Sequence, residues 1–480
     1  MFLTHKVHKF YLNFAFLVAI LLGFIVAAIL RISFFAPIPW LILSLILLIF
    51  SFWKRQIFAF IFIIFAGFLL SFWRFSNFQI QKNNLAKFVG AEVEVRGILI
   101  EDADKNTETG EVSLKLAVQK IGEQEMAGKI WARTKTTKLV RRSDEVIVYG
   151  KMREGFGSFG GSISQAQIVK IMPKTEAVRD LRDSFASGIA KFITSPQLEL
   201  GLGYLLGQKN SLPTDLETAL RATALTHVVV ASGYNLTVLV NFARRKFGKL
   251  SKRLAAFGAV VMVCGFVLVV GFSPSMTRAG IVALLGILFW YFGRRPNAYF
   301  LLIFVASLTL LVAPENLFDL GWQLSFGSFF GVMILAPLLK AFLFEEPQKL
   351  GALASTFFET ISAQIATLPL IVYTFGAFST VSIFANMLVL PFVSLAMLLT
   401  FLTGIFAQIL PALAQIFGWL AEIILGYSVG VIKFFGSQTG AQLEITLGVP
   451  QTLALYFGLV LLVIFLHFKT RPKREIETTV

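Results

Sequence analysis

Long apolar runs separated by short polar breaks fill most of the chain, and one interval, residues 77–175, departs from that rhythm. Runs such as FAFLVAILLGFIVAAIL at 14–30 and LALYFGLVLLVIFL at 453–466, taken with their flanks, reach the roughly 20 residues that a helix needs to cross about 30 Å of hydrocarbon. An open sheet or irregular chain would strand its backbone donors and acceptors there. The pattern predicts spans near 13–31, 35–53 and 57–73, and again near 222–242, 254–272, 279–293, 298–313, 321–340, 353–373, 381–403, 411–434 and 446–467.

Within 77–175 the period shortens. AEVEVRGILI, EVSLKLAVQ, KIWARTK, DEVIVYGKM and ISQAQIVKI are β-branched runs with partial alternation, divided by polar turns such as KNTETG. They predict a five-stranded or similar small barrel, and an OB-like domain and other small β barrels share that order of strands. The expected fold class is a polytopic α-helical membrane protein with an inserted small extracytoplasmic β-barrel (OB-like) domain. Its segments are three N-terminal transmembrane helices at 1–76, the β domain at 77–175, amphipathic and linker helices at 176–221, a polytopic domain at 222–468 and a cytoplasmic tail at 469–480. In the linker, EAVRDLRDSFASGIAKFI fits a helix lying along the membrane surface, and Pro213 precedes an acidic helix start.

Composition agrees with the pattern: 56% of residues are hydrophobic, 51 are Phe, and 15% are charged, fewer charges than a soluble surface carries. The net charge of +16 matters through its placement. HKVHKF, Lys54 and Arg55, NFARRKFGKLSKR, GRRPN, the EEPQK region and HFKTRPKRE all fall on one side of the predicted spans. Positive loops mark the cytoplasmic face, which puts both termini in the cytoplasm and the β domain outside. The first apolar run lacks a small-residue cleavage site and is expected to stay as a span.

Candidate chemistry is sparse. The single Cys264 permits no intrachain disulfide, and the four His form no metal-ligand cluster. No H-E-x-x-H, phosphate-binding glycine loop or G-x-S-x-G elbow occurs, so neither an enzyme nor a cofactor is expected. What stands out is polarity inside the apolar runs. ALTHVVVASGYNLTVLV at 224–240 holds His227, Ser232, Gly233, Tyr234 and Asn235. Such groups are costly against lipid unless they meet partners or a wet cavity. On one continuous helix, His227, Tyr234 and Asn235 share a stripe; equally, Ser232-Gly233 breaks the helix beside a lined cavity. Helix packing by small residues is the competing reading. Arg278, Asp319, Gln323, Ser325, Gln364, Thr367 and Asn386 are the other polar groups at or within spans. Arg278 either snorkels or holds an anion, and Asp319 either caps the next helix or contacts substrate.

Several of these motifs together resemble the competence-type DNA-uptake channel family, the ComEC-like proteins, over roughly residues 60–434. The resemblance rests on LTHVVVASGYN, PSMTRAG, GRRPN, APENLFDLGWQLSF, and ATLPLIVYTFGAFS leading to ANMLVLP. The family's pattern maps onto His227, Ser232, Gly233, Arg278, Asp319, Gly321, Gln323, Leu324, Ser325, Thr367, Leu368 and Pro369, with Asn235 where the family commonly has a second His. The resemblance implies a channel passing single-stranded DNA across the inner membrane during uptake. The alternatives are a transporter of another anionic or lipid-like substrate and a membrane scaffold.

The implied partners, besides membrane lipids, are single-stranded DNA, a receptor and nuclease outside, and a cytoplasmic motor or DNA-binding protein. A separately encoded nuclease would replace the C-terminal metallo-β-lactamase-like domain of many relatives, which is expected to be absent here. On the β domain, Lys129, Trp131, Arg133, Lys135, Lys138, Arg141 and Arg142 form a basic, aromatic interval. It suits a single strand, and a solvated basic rim would carry the same residues.

Overall fold

The computed structural model describes residues 2–30, 38–53, 56–105, 109–136, 140–208, 212–229, 233–271, 274–294 and 297–477. The chain forms two compact units, Met1–Glu176 with Tyr299–Gln323, and Ala177–Ala298 with Leu324–Val480.

The first unit begins with three helices, α1 (Phe2–Ile29), α2 (Ile38–Trp53) and α3 (Gln56–Ala86). Small residues bring them together: a side-chain carbon on Gly23 would lie 2.9 Å from Ser71 Cβ. Ser71 Oγ donates to Ile20 O at 2.8 Å, and Ser44 Oγ to Ala66 O at 2.9 Å. Each hydroxyl thereby finds an acceptor in surroundings that offer no water, and close backbone approach replaces the hydrophobic driving force that lipid lacks. The helix Ala298–Val312 joins the group, with Ser307 Oγ donating to Leu17 O at 3.0 Å. Arg74 Nε and Nη2 donate to Leu311 O and Val312 O at 2.7 and 2.6 Å, satisfying carbonyls that a helix C-terminus leaves open.

α3 runs on beyond its apolar part, and its Leu85 is fully buried in the core of a sheet. The strands are β1 (Glu92–Leu99), β2 (Asp104–Lys105), β3 (Glu111–Ile121), β4 (Gln124–Lys135), β5 (Glu145–Lys151), β6 (Arg153–Glu154), β7 (Gly161–Ile163) and β8 (Gln167–Met172). β3 alternates buried and half-exposed positions over most of its length, as period-two patterning requires. The order is β6-β7-β4-β3-β1-β5-β8, with β2 on the side of β3.

This order corrects the expected fold class. The strands exist, but the sheet is open and forms no OB-like barrel, because its ends, β6 and β8, do not pair. The free side of β4 is taken by the three-residue parallel strand β7, and a bond from Ala166 N to Arg133 O at 2.8 Å is not extended into a ladder between β4 and β8. Leu85 covers this region instead: side-chain carbons on Gly128 and Gly160 would come within 2.5 and 2.6 Å of its Cδ1. Covering an exposed edge with a helix is a common alternative to closure.

The second unit contains α4 (Ala177–Ile189), α5 (Gln197–Leu206), α6 (Thr214–Ala222), α7 (Thr226–Val229), α8 (Gly233–Phe247), α9 (Lys252–Val270) and α10 (Pro274–Tyr291). After Ala298–Val312, here α11, and a short turn at Pro314–Phe318, the chain continues through α12 (Leu320–Phe330), a π-helical segment (Gly331–Leu335), α13 (Ala336–Leu343) and α14 (Ala352–Phe375). It ends with β9 (Ala377–Ser379), α15 (Ser382–Ile409), α16 (Pro411–Gly436), β10 (Gln442–Glu444) and α17 (Val449–Glu477). The core of the unit gathers Leu200, Tyr204, Leu216, Val229, Val389 and Leu425.

Among the described residues, eight helices are long and apolar enough to cross a membrane, and Ile38–Ile49, Met276–Tyr291 and Ala298–Val312 are shorter apolar helices. The molecule is a multi-pass membrane protein.

Candidate functional site

The polar stretch around residue 230 lies on two elements. His227 belongs to α7, where its Nδ1 lies 2.8 Å from Ala224 O. Asn235 belongs to α8, is buried, and donates from Nδ2 to Tyr204 O at 2.9 Å. Ser232 and Lys138 lie outside the described residues; Tyr234 follows Gly233 on α8. α5 approaches α7 closely, since a side-chain carbon on Gly203 would meet Val229 Cγ1 at 2.3 Å. The two helices therefore present His227 and Asn235 separately.

Gly233 and Arg278 come together. A side-chain carbon on Gly233 would sit 3.3 Å from Ala279 Cβ and 3.6 Å from Arg278 Nη2, so the start of α8 rests on the first turns of α10. The guanidinium of Arg278 lies over two rings of α12, its centre 5.8 Å from Phe326 and 5.4 Å from Phe329. Its Nε is buried and meets no acceptor, and among the described residues no carboxylate pairs with it. Ring faces offset part of the cost of desolvating a cation, but an unpaired buried donor on a charged group remains expensive. Phe326 and Phe329 were not among the residues expected at the site. Their spacing of three places both on one face of α12, which is the sequence signal for them.

The end of α12 and the π-helical segment that continues it pack on α14, the latter by near-backbone contact. A side-chain carbon on Gly331 would fall 2.5 Å from Ser362 O and 2.7 Å from Ala363 Cα, and one on Gly327 3.2 Å from Thr367 Cγ2. Gly327 and Gly331 are four residues apart in GSFFG, the spacing that lets membrane helices touch. The π-helical segment begins at this crossing.

A second polar group forms at α14 and α15. Gln364 Nε2 donates to Ser382 Oγ at 3.0 Å, Asn386 Nδ2 to Ser382 O at 2.7 Å, and Ser382 Oγ to Ser379 O at 3.1 Å. Ser379 Oγ reaches Ala222 O at 2.6 Å. Ser382 is thus the hub, a residue the sequence reading passed over although it stands in the polar break FSTVS. No hydrogen bond joins this group to Arg278 among the described residues.

The remaining candidates have local partners. Asp319 Oδ1 accepts from Trp322 N at 2.8 Å, capping α12, and Gln323 Nε2 donates to Leu317 O at 2.7 Å. Thr367 Oγ1 donates to Ala363 O at 2.9 Å, and Ser325 is half-buried on α12.

On the sheet, Lys129, Trp131, Arg133 and Lys135 occupy alternate positions of β4 and share its outward face. Lys129 pairs with Glu315 at 2.9 Å and Arg133 with Glu111 at 3.2 Å, while Arg133 covers Trp131 at 4.6 Å. Arg133 and Lys135 border an open groove of about 630 Å³ with Glu111 and Gln165. Arg141 and Arg142 lie apart, on the turn before β5, where Arg142 Nη2 pairs with Glu176 at 2.7 Å and Arg141 N donates to Asp144 at 2.9 Å. The six of those seven residues that are described divide into a strand face and a turn.

The site is thus a half-buried cation in a helical membrane unit, facing rings and, among the described residues, no carboxylate. The comparison with known families is more specific. Residues 204–470, more than half of the chain, match the model of the competence protein family. The chain belongs to that family. It is 26% identical over 221 residues to ComE operon protein 3 of Bacillus subtilis (strain 168), covering 45% of this chain and 27% of the relative. It is also 25% identical over 166 residues to an uncharacterized protein of Aquifex aeolicus (strain VF5), covering 34% of this chain and 39% of the relative. The alignments thus span well under half of either relative. No solved structure matches the chain. Arg278, Gly233 and the Gln364–Ser382–Asn386 group fall inside the family match, and the sheet falls before it.

Proposed function

We propose that this chain is a transport protein of the bacterial inner membrane that conducts a single strand of DNA during uptake, with Arg278 meeting the phosphodiester backbone. The observation that carries the reading is the Arg278 guanidinium, lying over Phe326 and Phe329 with a buried, unbonded Nε. A cation in that setting attracts a monoanion strongly, because the low dielectric around it screens little. Phe326 and Phe329 cover the guanidinium and limit how a phosphate can approach it, and conduction needs binding weak enough for release. Family membership and the apolar helices support a transport role. In this reading the strand reaches the membrane along the groove bordered by Lys135 and Arg133, with Arg141 and Arg142 as further contacts. The sequence has no phosphate-binding glycine loop, so pulling falls to a cytoplasmic partner, and capture and strand degradation to partners outside.

Uptake of labelled single-stranded oligonucleotide into sealed vesicles, with a DNA-binding protein trapped inside, tests this. Wild type accumulates nuclease-protected strand while excluding a small organic anion. Arg278→Gln loses on the order of tenfold in rate, the equivalent of about 1.4 kcal/mol, and Arg278→Lys retains part of it. Equal entry of strand in wild type and Arg278→Gln would sink the assignment, and equal leakage of the small anion would redirect it to a general anion pathway.

A further inference from the structure

The glycine-rich stretch EGFGSFGGS at 154–162 has no role in the reading above, yet its backbone is held firmly. A side-chain carbon on Gly155 would strike Phe159 O at 2.1 Å, and Gly160 accommodates Leu85 of α3. Gly157 has φ +55, and a side-chain carbon there would lie 3.3 Å from Phe318 O. Lys82 Nζ, also on α3, donates to Gly157 O at 3.4 Å and stands over the Phe318 ring at 5.8 Å. This fixed loop displays Phe156, which is 51% exposed. Phe156 packs on Trp131 at 5.4 Å and on Phe159 at 5.5 Å, and Phe318, 38% exposed, adds a further ring beside the loop.

We propose that this loop is a membrane-surface anchor, with Phe156 seated among lipid headgroups and upper acyl chains. Its level relative to the spans supports this. Phe318 ends the turn that leaves the apolar helix α11, and Lys82 lies on the continuation of α3 beyond its apolar part. Arg74 bonds the last carbonyls of α11 and Lys82 stands roughly 12 Å further along α3, so the loop tied to Lys82 and Phe318 lies at headgroup depth just beyond the ends of the apolar helices. Aromatic side chains favour that boundary, and Lys82 beside them suits anionic headgroups.

A nucleic-acid base is the other occupant for exposed aromatics, and the geometry disfavours it. Stacking needs an open ring face, whereas Trp131 is covered by Arg133 and meets Phe156 edge to face at 75°. Lys129 and Arg133 are already paired with Glu315 and Glu111.

The test uses the full chain with Cys264→Ser, carrying a nitroxide at Phe156→Cys or, as control, at the exposed Lys170→Cys, in lipid nanodiscs containing anionic lipid. At position 156 relaxation by oxygen exceeds relaxation by a water-soluble nickel chelate several-fold, while position 170 shows the reverse. Aqueous behaviour at both positions overturns the anchor. So does an aqueous label at 156 that becomes immobilised by added single-stranded oligonucleotide, which would assign the loop to nucleic acid. The outcome is independent of Arg278, so it and the uptake assay fail or succeed separately.

Discussion

At the scale of single residues, the crossing of the π-helical segment and α14 leaves no room for a side chain. Gly331→Ala pushes a methyl group toward Ser362 O and Ala363 Cα, which are backbone atoms and cannot rotate away. Overpacking of this kind costs about 1–3 kcal/mol. Gly286→Ala on α10 is the control, since nothing lies within 4 Å of the added carbon. Thermal unfolding in detergent should fall for the first variant and hold or rise slightly for the second; equal midpoints would show that the helices separate freely there. The importance of this crossing was legible in the four-residue spacing of Gly327 and Gly331, while its partner on α14 was not. Arg278 shows the same division. Its place at the end of a span could be read from the sequence, but that rings rather than a carboxylate face it depends on how α10 and α12 meet. The one-helix stripe linking His227 with Asn235 depended on continuity through Ser232, and the described helices on either side hold the two residues in different bonds.

At the scale of elements, α3 and the sheet behave as one piece through Leu85. Leu85→Ala removes a fully buried side chain from the sheet core, a loss of about 2–5 kcal/mol. Hydrogen exchange on the full chain should quicken in β1, β3 and β4 and stay unchanged in α15 and α16; unchanged strands would mean that the sheet does not need the helix.

The sheet also carries a pH response. The Arg96 guanidinium beside Glu145 holds that carboxyl below its usual range, with Lys174 adding to the effect. A depressed carboxylate contributes its stability in full above the unfolded-state value and loses it as pH falls through the folded-state value. Glu145→Gln should therefore weaken the sheet at neutral pH and flatten its loss of stability on acidification, read as the pH dependence of exchange in β5; an acid limb identical to wild type would remove Glu145 from the account. The strands themselves were legible because alternation is local. Their failure to close was not, since β7 has three residues and β6 two, too short to leave a period, and the edge cover comes from a distant helix.

At the scale of the whole molecule, the orientation expected from charge placement makes a prediction about crossings. If the sheet and the basic turn at 244–253 lie on opposite faces, the chain crosses an odd number of times between β8 and Lys249. Among the described residues the apolar segments there are α5 and α7 with α8, and none of them is among the helices long and apolar enough to span. The fifteen residues of α8 reach roughly 22 Å, short of the roughly 30 Å of hydrocarbon. α8 crosses only if α7 and the residues between them share the depth. Broken helices of that kind are tolerated where they line a cavity or lie within protein, and the bond from Asn235 to the Tyr204 carbonyl ties this segment to α5. Single cysteines at Lys170 and Lys249, in a Cys264→Ser background, decide the parity when an impermeant maleimide is applied to spheroplasts. With one crossing, Lys170→Cys is labelled in intact spheroplasts and Lys249→Cys only after permeabilisation. Labelling of both from outside would make α7 and α8 a re-entrant pair and leave the basic turn on the sheet's side. The positive cluster would then face the entering strand, and Arg278, on the helix after next, would be reached from the opposite end of the passage.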